Sequence, residues 1–351
     1  MTATIHAIDY YLPERVLDNA ALAAEFPDWP ADKILAKTGI ARRRIAATDE
    51  CASDLAAKAA ERLLARFPSM LAQIDFVLFC TQSPDYFLPT TACILQHRLG
   101  LAKTCGALDF NLGCSGYVYG LSLAKGLIES GQASHVLLLT GETYSKYIHS
   151  GDKSVRTLFG DAGTATLVCT SDSQEPAVGP FVFGTDGSGA QNLIVKTGAS
   201  RYATDPNAPV VEDASGNRRT ENHLFMNGPE IFSFTLKAVP AAVQSLLAKA
   251  RVEKNAVDFW VFHQANQYML DHLRKKIGIP VERFALALQE CGNTVSCSIP
   301  IALRDLETAG RCVPEHDGTA RALHELAGNV QHRLGEVLAG NRPGMGHAVF
   351  L

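Results

Sequence analysis

Apolar residues along the chain fall into short β-rich runs separated by segments of helical period. FVLFC (76–80), GALDFN (106–111), SHVLLLT (134–140) and GTATLVC (163–169) are continuous enough to be buried strands. The stretch from Ser53, SDLAAKAAERLLARF, sets Ala and Leu at three- and four-residue spacings. Ser is a favoured N-cap, so a helix beginning at Ser53 is predicted. SGYVYGLSLAKGLIESG (115–131) carries the same helical period. Strands alternating with helices predict an α/β protein with buried mixed sheets.

The pattern also repeats. Residues 59–83, moved by 183, overlie 242–266 without a gap. Ala59, Leu63, Leu64, Ala65, Asp75, Phe76 and Phe79 then meet Ala242, Leu246, Leu247, Ala248, Asp258, Phe259 and Phe262. Unbroken register across a helix, a loop and a strand points to a duplicated architecture rather than to shared Ala and Leu content. Farther on, DFNLGCSG (109–116) and LQECGNTVS (288–296) occupy similar places, with Cys114 over Asn293. We divide the chain into an N-terminal half (1–170), a Gly-, Asp- and Ser-rich stretch of loops and short strands (171–222) and a C-terminal half (223–351).

Composition narrows the function classes. The 351 residues are 47% hydrophobic and 19% charged, which suits a large core and excludes a disordered chain. A net charge of −4 leaves no global basic field for nucleic acid. No apolar run approaches the ~18–20 residues that span a bilayer, and no secretory signal is visible, so a cytoplasmic protein without membrane insertion is expected. Nine irregularly spaced Cys then read as reduced thiols.

Three residues carry candidate chemistry. Cys114 lies between a strand-like run and a helix, where unpaired amides and the helix dipole favour a thiolate. Gly113 and Gly116 flank it and allow close approach of a backbone or an acyl group. His263 ends the strand-like VDFWVF, at the place Cys80 takes in the first repeat. Asn293 sits in the turn CGNTVS. Each has a plain structural alternative: a core thiol, a hydrogen-bonded strand-end His, a turn Asn. Converging where the two halves meet, they would supply a nucleophile and two directed donors for an oxyanion.

These motifs match a family. DFNLGCSG, FHQAN, GNTVSCSIP, YLPERVLDN, KTGIARRRIA and LFGDAGTATLV resemble, in order over about residues 5–310, the β-ketoacyl-acyl-carrier-protein synthase III family of the thiolase superfamily. The resemblance implies a thiolase-like duplicated five-layered αβαβα fold, a homodimer and no metal or redox cofactor. It implies that Cys114 accepts a primer acyl group from an acyl-CoA or acyl carrier protein thioester. His263 and Asn293 would hold a malonyl thioester carbonyl during loss of CO2. Substrate contacts would fall at Lys37, Leu88, Lys153 and Asn266, and carrier-protein docking at Arg274, Lys275 and Lys276.

Departures from the family pattern cluster at the positions that grip a nucleotide arm. Lys33 replaces a frequent Trp, Lys153 a common Arg, and Tyr268 an Arg one residue beyond the HQAN motif. These favour a carrier-protein donor over CoA. Leu88 stands where a larger Phe is frequent, which hints at a primer larger than acetyl. From about residue 311 the chain loses the family's closing Gly-rich loop, for which Gly344 and Gly346 are the candidates. Cys312, His316, His324 and His332 fit no standard zinc frame. Competing readings are a Cys-His acyltransferase acting on an alcohol or amine, and a non-catalytic partner subunit.

Overall fold

The four apolar runs of the N-terminal half form one sheet with the chain's first residues. The computed structural model describes residues 1–171 and 178–311, with the backbone of 348–350. In chain order the first half holds β1 (Thr2–Tyr11), β2 (Arg15–Asp18), α1 (Asn19–Glu25), α2 (Ala31–Thr38), β3 (Arg42–Ile45), α3 (Ala52–Arg66) and β4 (Phe76–Cys80). It continues with α4 (Thr91–Arg98), β5 (Gly106–Phe110), α5 (Gly116–Glu129), β6 (His135–Glu142), α6 (Lys153–Arg156) and β7 (Ala162–Ser171). The sheet order is β1-β7-β6-β4-β5. β4 runs parallel to β5 and β6, whereas β7 is antiparallel to β6 and to β1.

Strand side chains alternate between faces, and each face is covered by a different helix. Val77, Phe79, Leu137, Leu139, Ala165 and Leu167 pack on Ala56, Ala60 and Leu63 of α3. Leu78, Val136, Leu138 and Val168 point the other way, onto Tyr117, Leu121, Ala124 and Ile128 of α5. The helix expected at Ser53 begins at Ala52 instead. Its N-cap is Cys51, whose backbone N–H donates to Asp54 at 2.7 Å. Ser53 does not cap because its hydroxyl donates to Asp85 at 2.5 Å.

Within 178–227, β8 (Leu193–Ile194) pairs with β11 (Phe225–Met226), and β9 (Val211–Glu212) with β10 (Arg218–Arg219). The second half then repeats the first in α7 (Gly228–Ala250), β12 (Phe259–Val261), α8 (Gln267–Ile277) and α9 (Ser298–Thr308). The 183-residue offset lays α3 on α7 and β4 on β12. β12 pairs in parallel with β13 (Ala348–Phe350), and Phe284 bridges to Trp260 as β5 does to β4.

α5 and α9 share one cluster, in which Ile299, Ala302, Leu303 and Leu306 of α9 meet Val261 of β12 as well as the first sheet. They form the middle layer. α3 and α7 form outer layers, so the fold is the duplicated αβαβα arrangement. α7 corrects one expectation from sequence, because its 23 residues reach the length and apolarity of a membrane-crossing helix. Phe232, Leu236, Val239, Val243 and Leu247, at helical spacing, pack in one cluster with α8 residues Met269, Leu270 and Leu273. The apolar character is therefore that of a layer helix with a face to bury.

Candidate active site

Cys114 lies in the turn that joins β5 to α5, two residues before the helix starts. The glycines on either side allow close approach, as the sequence suggested, and in this structure side chains take that space. A Cβ on Gly113 would meet the Gln82 side chain at 2.5 Å, and one on Gly116 would meet the Cys80 Sγ at 2.3 Å. The same two points lie 3.4 Å from Val295 and Ser296 of the second half. A side chain at either position would displace its first-half neighbour, while the second half stands at van der Waals distance.

Asn293 is fixed at both backbone groups to the first half. Its N–H donates to the Leu158 carbonyl at 2.9 Å, and its carbonyl accepts the Gly160 N–H at 3.0 Å. Its side-chain oxygen accepts the Val295 N–H at 2.9 Å. That bond orients the carboxamide and leaves the NH2 group as donor. Val295 reaches this position only by adopting φ of 54°, a left-handed conformation rare for a β-branched residue.

His263 follows the end of β12, and Gln264 anchors that corner. Gln264 Nε2 donates to the Phe262 carbonyl at 2.6 Å, and its Oε1 accepts the Ala287 N–H at 2.9 Å. His263 Nδ1 lies 2.7 Å from Ser298 Oγ, which also accepts the Gln264 N–H at 3.2 Å. The Ser298 hydroxyl can donate its proton to Nδ1, and in that tautomer the ring proton sits on Nε2 as a donor.

Burial sets the charge state of both groups. Desolvation pushes His263 down to about 4 against a hydrogen bond to the Val295 backbone, so the ring is neutral at physiological pH. Cys114 departs from the sequence expectation of a favoured thiolate. Desolvation, with a contribution from the Glu142 carboxylate, pushes its thiol up to about 12. Burial thus favours the protonated thiol, while the helix N-terminus acts the other way.

The three residues converge on Val295. Cys114 packs in the same apolar cluster as Val295, with Tyr144, Phe159 and Leu224. The Val295 backbone faces His263, and its N–H donates to the Asn293 side-chain oxygen. Two donors and a thiol thus meet at one buried, strained turn.

The other sequence candidates are placed as follows. Lys37 is exposed in the last turn of α2. Lys153 is buried and pairs with Asp28 at 2.8 Å, while Lys33 lies 5.2 Å over the Trp29 ring. Asn266 caps α8, its Oδ1 accepting the Met269 N–H at 2.8 Å. Leu88 is 85% exposed beside Tyr86 and Phe87. In the basic cluster, Arg274 donates to the Ile279 carbonyl and Lys276 to that of Leu236, leaving Lys275 as the exposed charge without such a tie. Gly344, Gly346, Cys312, His316, His324 and His332 lie outside the described residues.

Sequence reasoning passed over Ser298, Gln82, Tyr144 and Glu142. The available signal for Glu142 was a lone acid closing the apolar run of β6. Ser298 lay unremarked inside GNTVSCSIP.

A thiol, an imidazole and a carboxamide at the junction of duplicated halves define a thiolase-fold condensing enzyme. The family model described as 3-oxoacyl-[acyl-carrier-protein (ACP)] synthase III matches residues 108–187, and its C-terminal model matches 247–320. The chain is 37% identical over 302 residues to beta-ketoacyl-[acyl-carrier-protein] synthase III 2 of Halalkalibacterium halodurans, covering 86% of each. A 2.1 Å crystal structure of a 3-oxoacyl-(acyl-carrier-protein) synthase III is 55% identical with TM-score 0.88, over 90% of this chain and 94% of that one. The priming β-ketosynthase of the R1128 polyketide pathway is 30% identical with TM-score 0.78, over 89% of each chain. The chain belongs to the 3-oxoacyl-[acyl-carrier-protein] synthase III family.

Proposed function

We propose that the protein joins a Cys114-bound acyl primer to a malonyl thioester with loss of CO2, giving a β-ketoacyl thioester in fatty-acid initiation or a related acyl pathway. In the first step Cys114 attacks the primer thioester, its S–C bond replacing that of the donor, and the proton passes to the released thiol. A malonyl thioester then loses CO2. The electron pair of the broken bond becomes an enolate whose oxygen His263 and Asn293 hold. The enolate carbon attacks the acyl-Cys114 carbonyl, and the C–S bond breaks to return the thiolate, which takes up a proton. The chemistry as written runs without a metal or redox cofactor.

The observation that carries this reading is the convergence of Cys114, His263 and Asn293 on Val295. A neutral imidazole and an oriented carboxamide suit an oxyanion better than they suit deprotonation of an alcohol. The proposal extends to an acyl carrier protein as malonyl donor, docking near the exposed Lys275 on α8. Pairing of Lys153 with Asp28 supports a carrier-bound primer over a CoA-bound one. A homodimer would cover Tyr86, Phe87 and Leu88, and a reducing cytoplasm would keep Cys114 reduced.

The test is an intact-mass screen of acyl-CoA and acyl-carrier donors, followed by malonyl-carrier addition with CO2 detection. An acyl adduct on Cys114 and malonyl-dependent CO2 release are expected. An adduct that passes to an alcohol or amine without CO2 release would make the protein an acyltransferase, and no adduct with any donor would defeat the reading.

A further inference from the structure

One buried carboxyl at this site has no part in the chemistry above. Glu142 ends β6 with no exposed surface. It accepts the Gln82 N–H at 3.1 Å, the Ser83 hydroxyl at 3.2 Å and, on its other oxygen, the Ser296 hydroxyl at 2.8 Å. Gln82 and Ser83 follow β4 in the first half. Ser296 belongs to the second half, three residues past Asn293 and beside the start of α5. The carboxyl therefore bridges the two halves under the nucleophile turn, and all three of these partners are neutral.

The same contacts reach the nucleophile from two more directions. The Gln82 side chain fills the space beside Gly113 and accepts the Tyr144 hydroxyl, and Tyr144 packs with Cys114. The titratable groups facing Glu142 are Cys114, Cys80, Tyr144, Tyr147, Cys297 and Asp161. These are all acids, neutral when protonated and negative when ionised, so none of them offers Glu142 a positive partner. A negative charge on Glu142 is opposed by burial and by Asp161 and favoured by its three hydrogen bonds, and it in turn opposes a thiolate at Cys114.

We propose that Glu142 is a positioning residue of the condensing site: its carboxyl ties the turn carrying Asn293 to the strand end beside Cys114, and its charge sets how readily Cys114 releases its proton. Burial pushes this carboxyl up to about 8, against the three hydrogen bonds it accepts, which favour the charged form. At alkaline pH it ionises and resists thiolate formation. The inference rests on the condensing reading for its consequence in turnover, but its effect on Cys114 can be measured without any substrate.

The experiment compares the wild-type protein with Glu142→Gln, Glu142→Ala and Ser296→Ala. Iodoacetamide alkylation of Cys114 is followed against pH by peptide mass, and acylation and malonyl-dependent CO2 release are measured separately. In Glu142→Gln the alkylation midpoint should move down by about one pH unit, because a neutral amide replaces the carboxylate. In Ser296→Ala and Glu142→Ala, kcat for CO2 release should fall by about tenfold or more, with acylation changed by less than about threefold. Ser296→Ala breaks the same tie with a smaller change, so failure of Glu142→Ala to fold leaves the positioning claim testable. An unmoved alkylation profile in Glu142→Gln overturns the charge claim. Unaltered CO2 release in Ser296→Ala overturns the tie. If the wild type releases no CO2, the condensing reading fails while the alkylation result still decides what Glu142 does to Cys114.

Discussion

Val295 holds the site together at a local conformational cost. A left-handed conformation costs an L-residue roughly 1–2 kcal/mol, whereas full burial of a Val side chain returns about 1.5–3 kcal/mol. Val295 is 1% exposed, so the two nearly cancel. Val295→Gly should therefore leave the unfolding midpoint in urea near that of the wild type. Its kcat should nevertheless fall, because a glycine turn no longer confines the N–H that orients Asn293. Asn293→Ala removes the donor itself, and CO2 release should drop by about 100- to 1000-fold while the acyl-Cys114 mass persists. Equal loss of acylation and CO2 release would show that the two steps are not divided between Cys114 and its donors. These residues were only partly legible in sequence. Cys114, His263 and Asn293 stand in motifs, but the φ of Val295 and the Ser298 contact to His263 depend on chain segments 35 residues apart.

At the scale of elements, the nucleophile turn is shaped by what packs against α5. Gly116 opens that helix, and the Cys80 side chain occupies the place of its absent Cβ. Gly116→Ala gains up to about 1 kcal/mol of helix propensity, but the overlap with a buried sulfur costs about 1–3 kcal/mol. Net destabilisation is expected in urea unfolding. Cys80→Ala should relieve it in the double variant, giving a coupling of opposite sign to the single effects. Additive effects would mean that the contact is not the cause. Cys80 also occupies the repeat position of His263, so the duplicated strand ends contribute a packing atom in one half and the imidazole in the other. Periodicity located β4 to the residue, because a continuous apolar run has one way to be buried between layers. It misplaced the start of α3, because Ser53 has a tertiary partner in Asp85 that no local pattern discloses.

For the whole molecule, pH and association are the accessible variables. Glu142 is raised from 4.5 to about 8, so the folded state keeps a proton that the unfolded chain releases. Its contribution to stability is present below about 4.5 and is lost as pH rises through 8. His263 is lowered from 6.5 to about 4, so below 6.5 the unfolded chain takes up a proton that the folded state refuses. Its contribution is present above 6.5 and is lost as pH falls towards 4. Urea titrations from pH 5 to 8.5 should show Glu142→Gln gaining on the wild type as pH rises. A constant difference between the two would count against a raised Glu142. At the surface, Phe87 is 81% exposed between Tyr86 and Leu88. Three adjacent exposed apolar side chains are a large unpaired patch for one loop. If they form the proposed dimer contact, Phe87→Asp should halve the mass measured by light scattering, and an unchanged mass would place the interface elsewhere.

The sequence by itself determined the layers and marked the three candidate residues. Buried strands and layer helices are written in periodicity, and a duplicated fold leaves its offset in the chain. Reactive groups at strand ends and helix starts stand in short local motifs for the same reason. Only the tertiary structure decided how those residues behave. It showed that side chains fill the space beside the glycines flanking Cys114, that burial raises the Cys114 thiol, and that Lys153 is engaged by Asp28. Each of these depends on desolvation or on contacts between distant segments. Both are properties of the space around a residue, and local sequence does not encode that space.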